Sequence, residues 1–75
     1  MRISYDPEVD ALYIELRPWG PGQVENRDLG PGLVGDFGPD GRLSGLEVLD
    51  ATQVVGEDPD RILIEVAPHK RASAA

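Results

Sequence analysis

The side chains in this sequence with the chemistry to do work are carboxylates. Asp6, Glu8 and Asp10 crowd one short stretch, and Asp36, Asp40 and Glu47 recur farther along. Grouped carboxylates can hold a hard cation or divide acid and base roles between them. The second group approaches a calcium loop: Asp36-x-Gly38-x-Asp40-Gly41-x5-Glu47 fits the D-x-[DN]-x-[DN]-G-x5-E pattern in four of five defined places. Gly38 stands where a third side-chain oxygen is needed, and a calcium loop needs a helix on each side. Both flanks here are short and strand-like, and Gly38-Pro39 interrupts the stretch. A hairpin turn with solvated acids accounts for the same residues. Asp36-Phe37-Gly38 also spells the magnesium-binding triplet of protein kinases, but a 75-residue chain without a glycine-rich phosphate loop is no kinase.

Other chemistries fail on residue types. There is no cysteine, and the single histidine, His69, lies in a polar terminal stretch. Disulfides, thiolate nucleophiles and a Ser-His-Asp arrangement are thereby excluded. Asp6, Glu8 and Asp10 sit on a tight turn, where solvation or capping is expected of them. The residues therefore assign no catalytic, cofactor-binding or metal-ligating role, and the expectation is a non-enzymatic protein with no cofactor. The competing reading is a small-molecule or metal-binding protein using Asp6, Glu8, Asp10, Asp36 and Asp40, and it requires those five acids to converge.

Charge narrows the partners. Seven Lys and Arg face fourteen Asp and Glu, for a net charge of −7. Nucleic-acid affinity rests on cations that neutralise phosphates, so no nucleic-acid partner is expected. A basic protein suits the field. No stretch approaches the ~20 apolar residues of a membrane span, and the start, Met1 to Asp6, lacks an apolar signal region. A cytoplasmic protein with no membrane partner is the expectation.

The elements that hold these acids are marked by turns. Asp6-Pro7, Gly20-Pro21, Gly30-Pro31 and Gly38-Pro39 punctuate runs of β-favouring residues. Strands are expected over Arg2 to Tyr5, Ala11 to Arg17, Gln23 to Leu29, Leu33 to Phe37 and Arg42 to Leu49, with a further candidate over Arg61 to Val66. In the second, Leu12, Ile14 and Leu16 alternate against Ala11, Tyr13 and Glu15, as in a sheet with one buried face. Gly38-Pro39-Asp40-Gly41 fits a type I turn followed by a left-handed glycine, and Gly45 suggests a bulge or close approach. Asp50 with Gln53 three residues on reads as a capping box opening a short helix near 51–55. Residues 1–67 then form one mainly β domain, a meander-like antiparallel sheet of 5–6 strands, and 68–75 a disordered tail. Leu12, Ile14, Leu16, Val34, Leu46, Val48, Ile62 and Ile64 are the expected core. Trp19, in a Gly-Pro loop, is either a lid on that core or an interface anchor.

A chain this short buries only about 60% of its unfolded surface, and domains of this size commonly lean on oligomerisation. With disulfides excluded, a homodimer is expected.

Two stretches also resemble a family. Tyr5-Asp6-Pro7-Glu8-Val9-Asp10-Ala11-Leu12-Tyr13-Ile14 is similar to the opening of a family of short prokaryotic proteins classed as a domain of unknown function. Asp40-Gly41-Arg42-Leu43-Ser44-Gly45-Leu46-Glu47-Val48-Leu49-Asp50-Ala51 resembles its second block. The resemblance covers about residues 2–52 and implies no particular catalytic residue or cofactor. It implies, as one role, an antitoxin-like partner of a small basic toxin.

Overall fold

The computed structural model describes residues 1–20 and 22–68. Five strands form one sheet: β1 (Arg2–Asp6), β2 (Ala11–Glu15), β3 (Glu25–Gly30), β4 (Leu33–Phe37) and β5 (Leu43–Val48). One helix, α1 (Ala51–Val55), follows. All pairings are antiparallel, in the order β1-β2-β5-β4-β3. The mainly β architecture with a short helix is thus as expected. The meander is interrupted once, where the β2–β3 connection carries the chain to the far edge and leaves β5 to close against β2.

The register sorts the side chains. Ile3, Tyr5, Leu12, Ile14, Leu46, Val48, Leu33 and Phe37 share one face. Arg2, Ser4, Tyr13, Glu15, Glu47, Val34, Asp36 and Asn26 share the other. Val34, expected in the core, therefore belongs to the polar face, because Leu33 is the residue opposite Val48.

A bulge keeps the apolar face continuous. Asp36 faces Gly45 and Phe37 faces Leu43, which leaves Ser44 as the extra residue of β5. That insertion turns Leu43 to the side of Phe37 and Leu46. Ser44 is buried and fully used: its hydroxyl donates to the Asp36 carbonyl at 3.1 Å, and its own carbonyl accepts from the Leu16 and Arg17 amides at 2.8 and 3.1 Å. The adjoining turn has the expected geometry. The Gly41 amide donates to the Gly38 carbonyl at 2.9 Å, and Gly41 holds φ at 79°.

The core is small. Leu12 (6% exposed), Val48 (3%) and Ala51 (0%) are its buried apolar residues, with Ile3, Tyr5, Ile14, Leu33 and Leu46 packed around them. Of the expected core, Leu16, Ile62 and Ile64 are exposed instead. Leu16 falls just beyond β2, and residues 61–66 do not join the sheet as a sixth strand. The tail expected over 68–75 lies, beyond Pro68, outside the described residues. Among the described residues no helix is long and apolar enough to cross a membrane.

Gly45 is required by close approach. A Cβ built on it would stand 2.1 Å from the Tyr13 hydroxyl oxygen and 2.8 Å from Cζ. Gly45→Ala should cost about 1–3 kcal/mol through overpacking. Adding Tyr13→Phe, which removes the nearest atom, should make the pair less than additive in urea denaturation. Additive losses would mean that the two residues do not interfere.

Candidate functional site

Three places gather polar side chains, and each takes a different subset of the expected acids. The first lies where the β1–β2 turn meets α1. Asp10 adopts a left-handed backbone, with φ at 54°. Its carbonyl accepts from the Ala51 amide at 2.9 Å. Its carboxylate accepts from the Thr52 hydroxyl at 2.7 Å, from the Thr52 amide at 3.2 Å, and from the Tyr5 hydroxyl at 2.7 Å. Helix first turns leave amides unpaired, and a carboxylate oxygen is a favoured acceptor for them. Here the acceptor comes from 42 residues away in sequence. The expected capping box is corrected accordingly. Asp50 is also left-handed, with φ at 51°, and its side chain makes no capping bond, because Asp10 already holds the first-turn donors.

The second place crosses the polar face. The Tyr13 hydroxyl, from β2, passes over Gly45 of β5 and donates to Asp36 Oδ2 of β4 at 2.8 Å. Asn26 of β3 donates to the other oxygen of the same carboxylate. One line of hydrogen bonds thus ties β2, β4 and β3 across the top of β5. Burial, the bond to Asp36 and the neighbouring charges of Asp36, Glu15 and Glu47 push the Tyr13 phenol up to about 12.

The third is the β4–β5 turn. Asp40 accepts from Arg17 Nη2 at 2.7 Å and from the Arg42 amide at 3.0 Å. The Arg17 hydrogen bond, followed by that of Arg42, lowers the Asp40 carboxyl below its ordinary value. Trp19 lies over this turn. A Cβ on Gly38 would stand 2.4 Å from its Nε1, and the Arg17 guanidinium is 5.8 Å from the ring centroid. Trp19 accordingly covers the turn rather than the core of Leu12, Val48 and Ala51.

The five acids therefore do not converge. Asp6 accepts from the Glu8 amide within its own turn at 3.0 Å, Glu8 is exposed, and Asp10, Asp36 and Asp40 are each committed to separate partners. Asp36, Asp40 and Glu47 occupy a strand, a turn and another strand instead of one loop. Among the described residues, no three His, Cys, Asp or Glu side chains group closely enough to hold a metal ion. The residues that sequence reasoning missed are Tyr5 and Thr52. Their only signal was position: Tyr5 opens the first motif block and Thr52 directly follows the second.

Beside the helix, the apolar face stays partly open: Ile14, Leu43, Leu46 and Phe37 are half-buried, and Leu29 is 45% exposed. Gly35 is buried beneath this patch, and Leu29, Phe37 and Leu43 close over it, since a Cβ there would meet all three within 3.1 Å.

These features define a small single-sheet β protein whose polar groups are spent on holding its strands and helix together. The chain belongs to the family described as "Protein of unknown function (DUF2283)", whose model matches residues 2–51, or 50 of the 75. Both motif blocks fall within that match. No curated protein and no solved structure shows a significant match to the chain.

The hydrogen bonds from Thr52 and then Tyr5 lower the Asp10 carboxyl below its ordinary value of 3.8. A depressed carboxyl adds stability that is full above the ordinary value and is lost as pH falls through the folded value. Asp10→Asn should therefore lower the urea midpoint at pH 7, and the two midpoints should converge as the medium is acidified. A gap that persists in acid would assign the loss to shape rather than charge. Absorbance titration should show Tyr13 ionising near 12, against 10.0 for a free phenol. Tyr13→Phe should remove that step.

Proposed function

We propose that the protein is a non-enzymatic protein-interaction module that associates with a second copy of itself. The observation that carries the reading is the apolar face of the sheet, of which α1 covers only one end. Ile14, Leu43, Leu46, Phe37 and Leu29 form a continuous patch beside it. An apolar patch rimmed by charge is the usual mark of an association surface. Size supports the same reading, since no large side chain among the described residues is fully buried and a partner would enlarge the core. The scattered, hydrogen-bonded acids speak against the small-molecule reading.

A basic protein partner has its own supporting observation. Glu15, Asp28, Asp36 and Glu47 lie on the opposite face. Such a field would steer a cationic protein onto that side. An antitoxin-like role is one form that this second reading takes.

Sedimentation velocity across a concentration series tests the first reading. A dimer at micromolar concentration is expected. Leu29→Glu with Leu43→Glu should shift it to monomer while circular dichroism stays unchanged. A monomer at every concentration, with the unaltered chain, would overturn self-association and leave the basic partner to be sought.

A further inference from the structure

Residues 61–66 read Arg-Ile-Leu-Ile-Glu-Val, which is as strong a β pattern as any strand in the chain. Among the described residues they nevertheless join no strand. Ile62, Leu63, Ile64 and Val66 are 52%, 86%, 71% and 86% exposed. The segment thus runs on from the fold as an arm outside the sheet. Four large apolar side chains on a backbone outside any strand pairing are poorly suited to water, and a sheet edge would satisfy both needs.

The sheet offers two edges. β3 is defended: it carries Glu25, Arg27 and Asp28 and has a bulge between Asp28 and Gly30. Bulges and charges are how edges resist pairing. β1 is regular along its whole length, and its outer side is unpaired. Its residues complement the arm. An antiparallel register with Leu63 opposite Ser4 puts Arg61 opposite Asp6 and Glu65 opposite Arg2. Arg2 already leans on Glu15 at 3.6 Å on the inner side, so Glu65 would extend an alternating row of charge. Ile62 and Ile64 then stand beside Tyr5 and Ile3 and widen the apolar face.

We infer that Arg61–Val66 of one copy adds as a sixth strand to the β1 edge of a second copy, reciprocally. The arm leaves the fold beside the edge it would take in its partner, since Ile62 and Pro59 line a cleft with Ile3, Tyr5 and Leu12. That proximity is what a closed two-fold exchange needs. The inference rests on the self-association reading and names its contact.

The absence of native cysteine makes a disulfide test clean. Chains carrying Ser4→Cys and chains carrying Leu63→Cys are mixed, refolded together and oxidised. A disulfide between the two kinds of chain, formed in preference to either symmetrical product, is expected. Only symmetrical products would overturn the exchange. A chain carrying both substitutions that closes on itself as a covalent monomer would also overturn it. In parallel, Ile64→Pro removes the amide that would donate to Ile3 in this register, since Ile3 and Tyr5 carry the outward backbone groups of β1. The change lies outside the folded sheet, so circular dichroism should not change. The dimer Kd should rise by about tenfold or more, equivalent to 1.4 kcal/mol. An unchanged dimer in this variant would reject the arm and leave self-association standing. A monomeric unaltered chain would reject both.

Discussion

The Asp10 carboxylate holds together parts of the chain that no strand pairing joins. It receives Tyr5 from β1 and Thr52 from α1, while its carbonyl receives Ala51. These contacts fix where the helix sits, and the helix seats Ala51 against Leu12 and Val48, the whole of the buried apolar core. A five-residue helix has little stability of its own, since nucleation is costly and few bonds repay it. A fixed acceptor at its first turn, supplied by an ordered hairpin, offsets that weakness. The left-handed backbone of Asp10 is part of the same arrangement, because it lets one residue present both its carbonyl and its carboxylate to the helix.

From that anchor the sheet divides into unequal sides. One is apolar and finished by the helix only near Leu12 and Val48. The other is polar and crossed by the Tyr13–Asp36–Asn26 line, which spans β2, β4 and β3 above Gly45. The polar face thus contributes to cohesion as well as to solubility. Asp36 illustrates the division of labour. Its side chain binds two strands on one side, and its carbonyl receives the Ser44 hydroxyl at the bulge that returns Leu43 to the apolar side.

Much of this was legible in the residues. Alternation placed β2, and Pro-Gly punctuation placed the hairpin at Gly38–Gly41, because turn chemistry is local and each residue there has its own conformational reason. The family resemblance was legible for a similar reason, since its two blocks carry Tyr5, Asp10 and Ala51 of the Asp10 contact and Ser44 of the β5 bulge, with Thr52 one residue beyond. What was not legible depends on distance in sequence. Nothing near Asp50 shows that its capping role has passed to Asp10. Val34 and Leu33 are equally apolar, and only the pairing with Val48 decides which is inside. Ile62 and Ile64 looked like core because their pattern is that of a strand, but a strand pattern cannot say whose sheet it joins. The acids misled in the opposite way: their spacing suggested a site, whereas the fold sends Asp10, Asp36 and Asp40 to three separate structural bonds.

Trp19 is the chain's single tryptophan, and it lies over Gly38 beside the Arg17–Asp40 pair, away from the Asp10 anchor and the buried residues. Its emission is therefore a local gauge. The signal follows the solvation of one hairpin tip and the charge beside it, so the packing of α1 could loosen without altering the fluorescence. A melt followed by tryptophan alone would report the last corner of the sheet to open, or the first, but not the fate of the core.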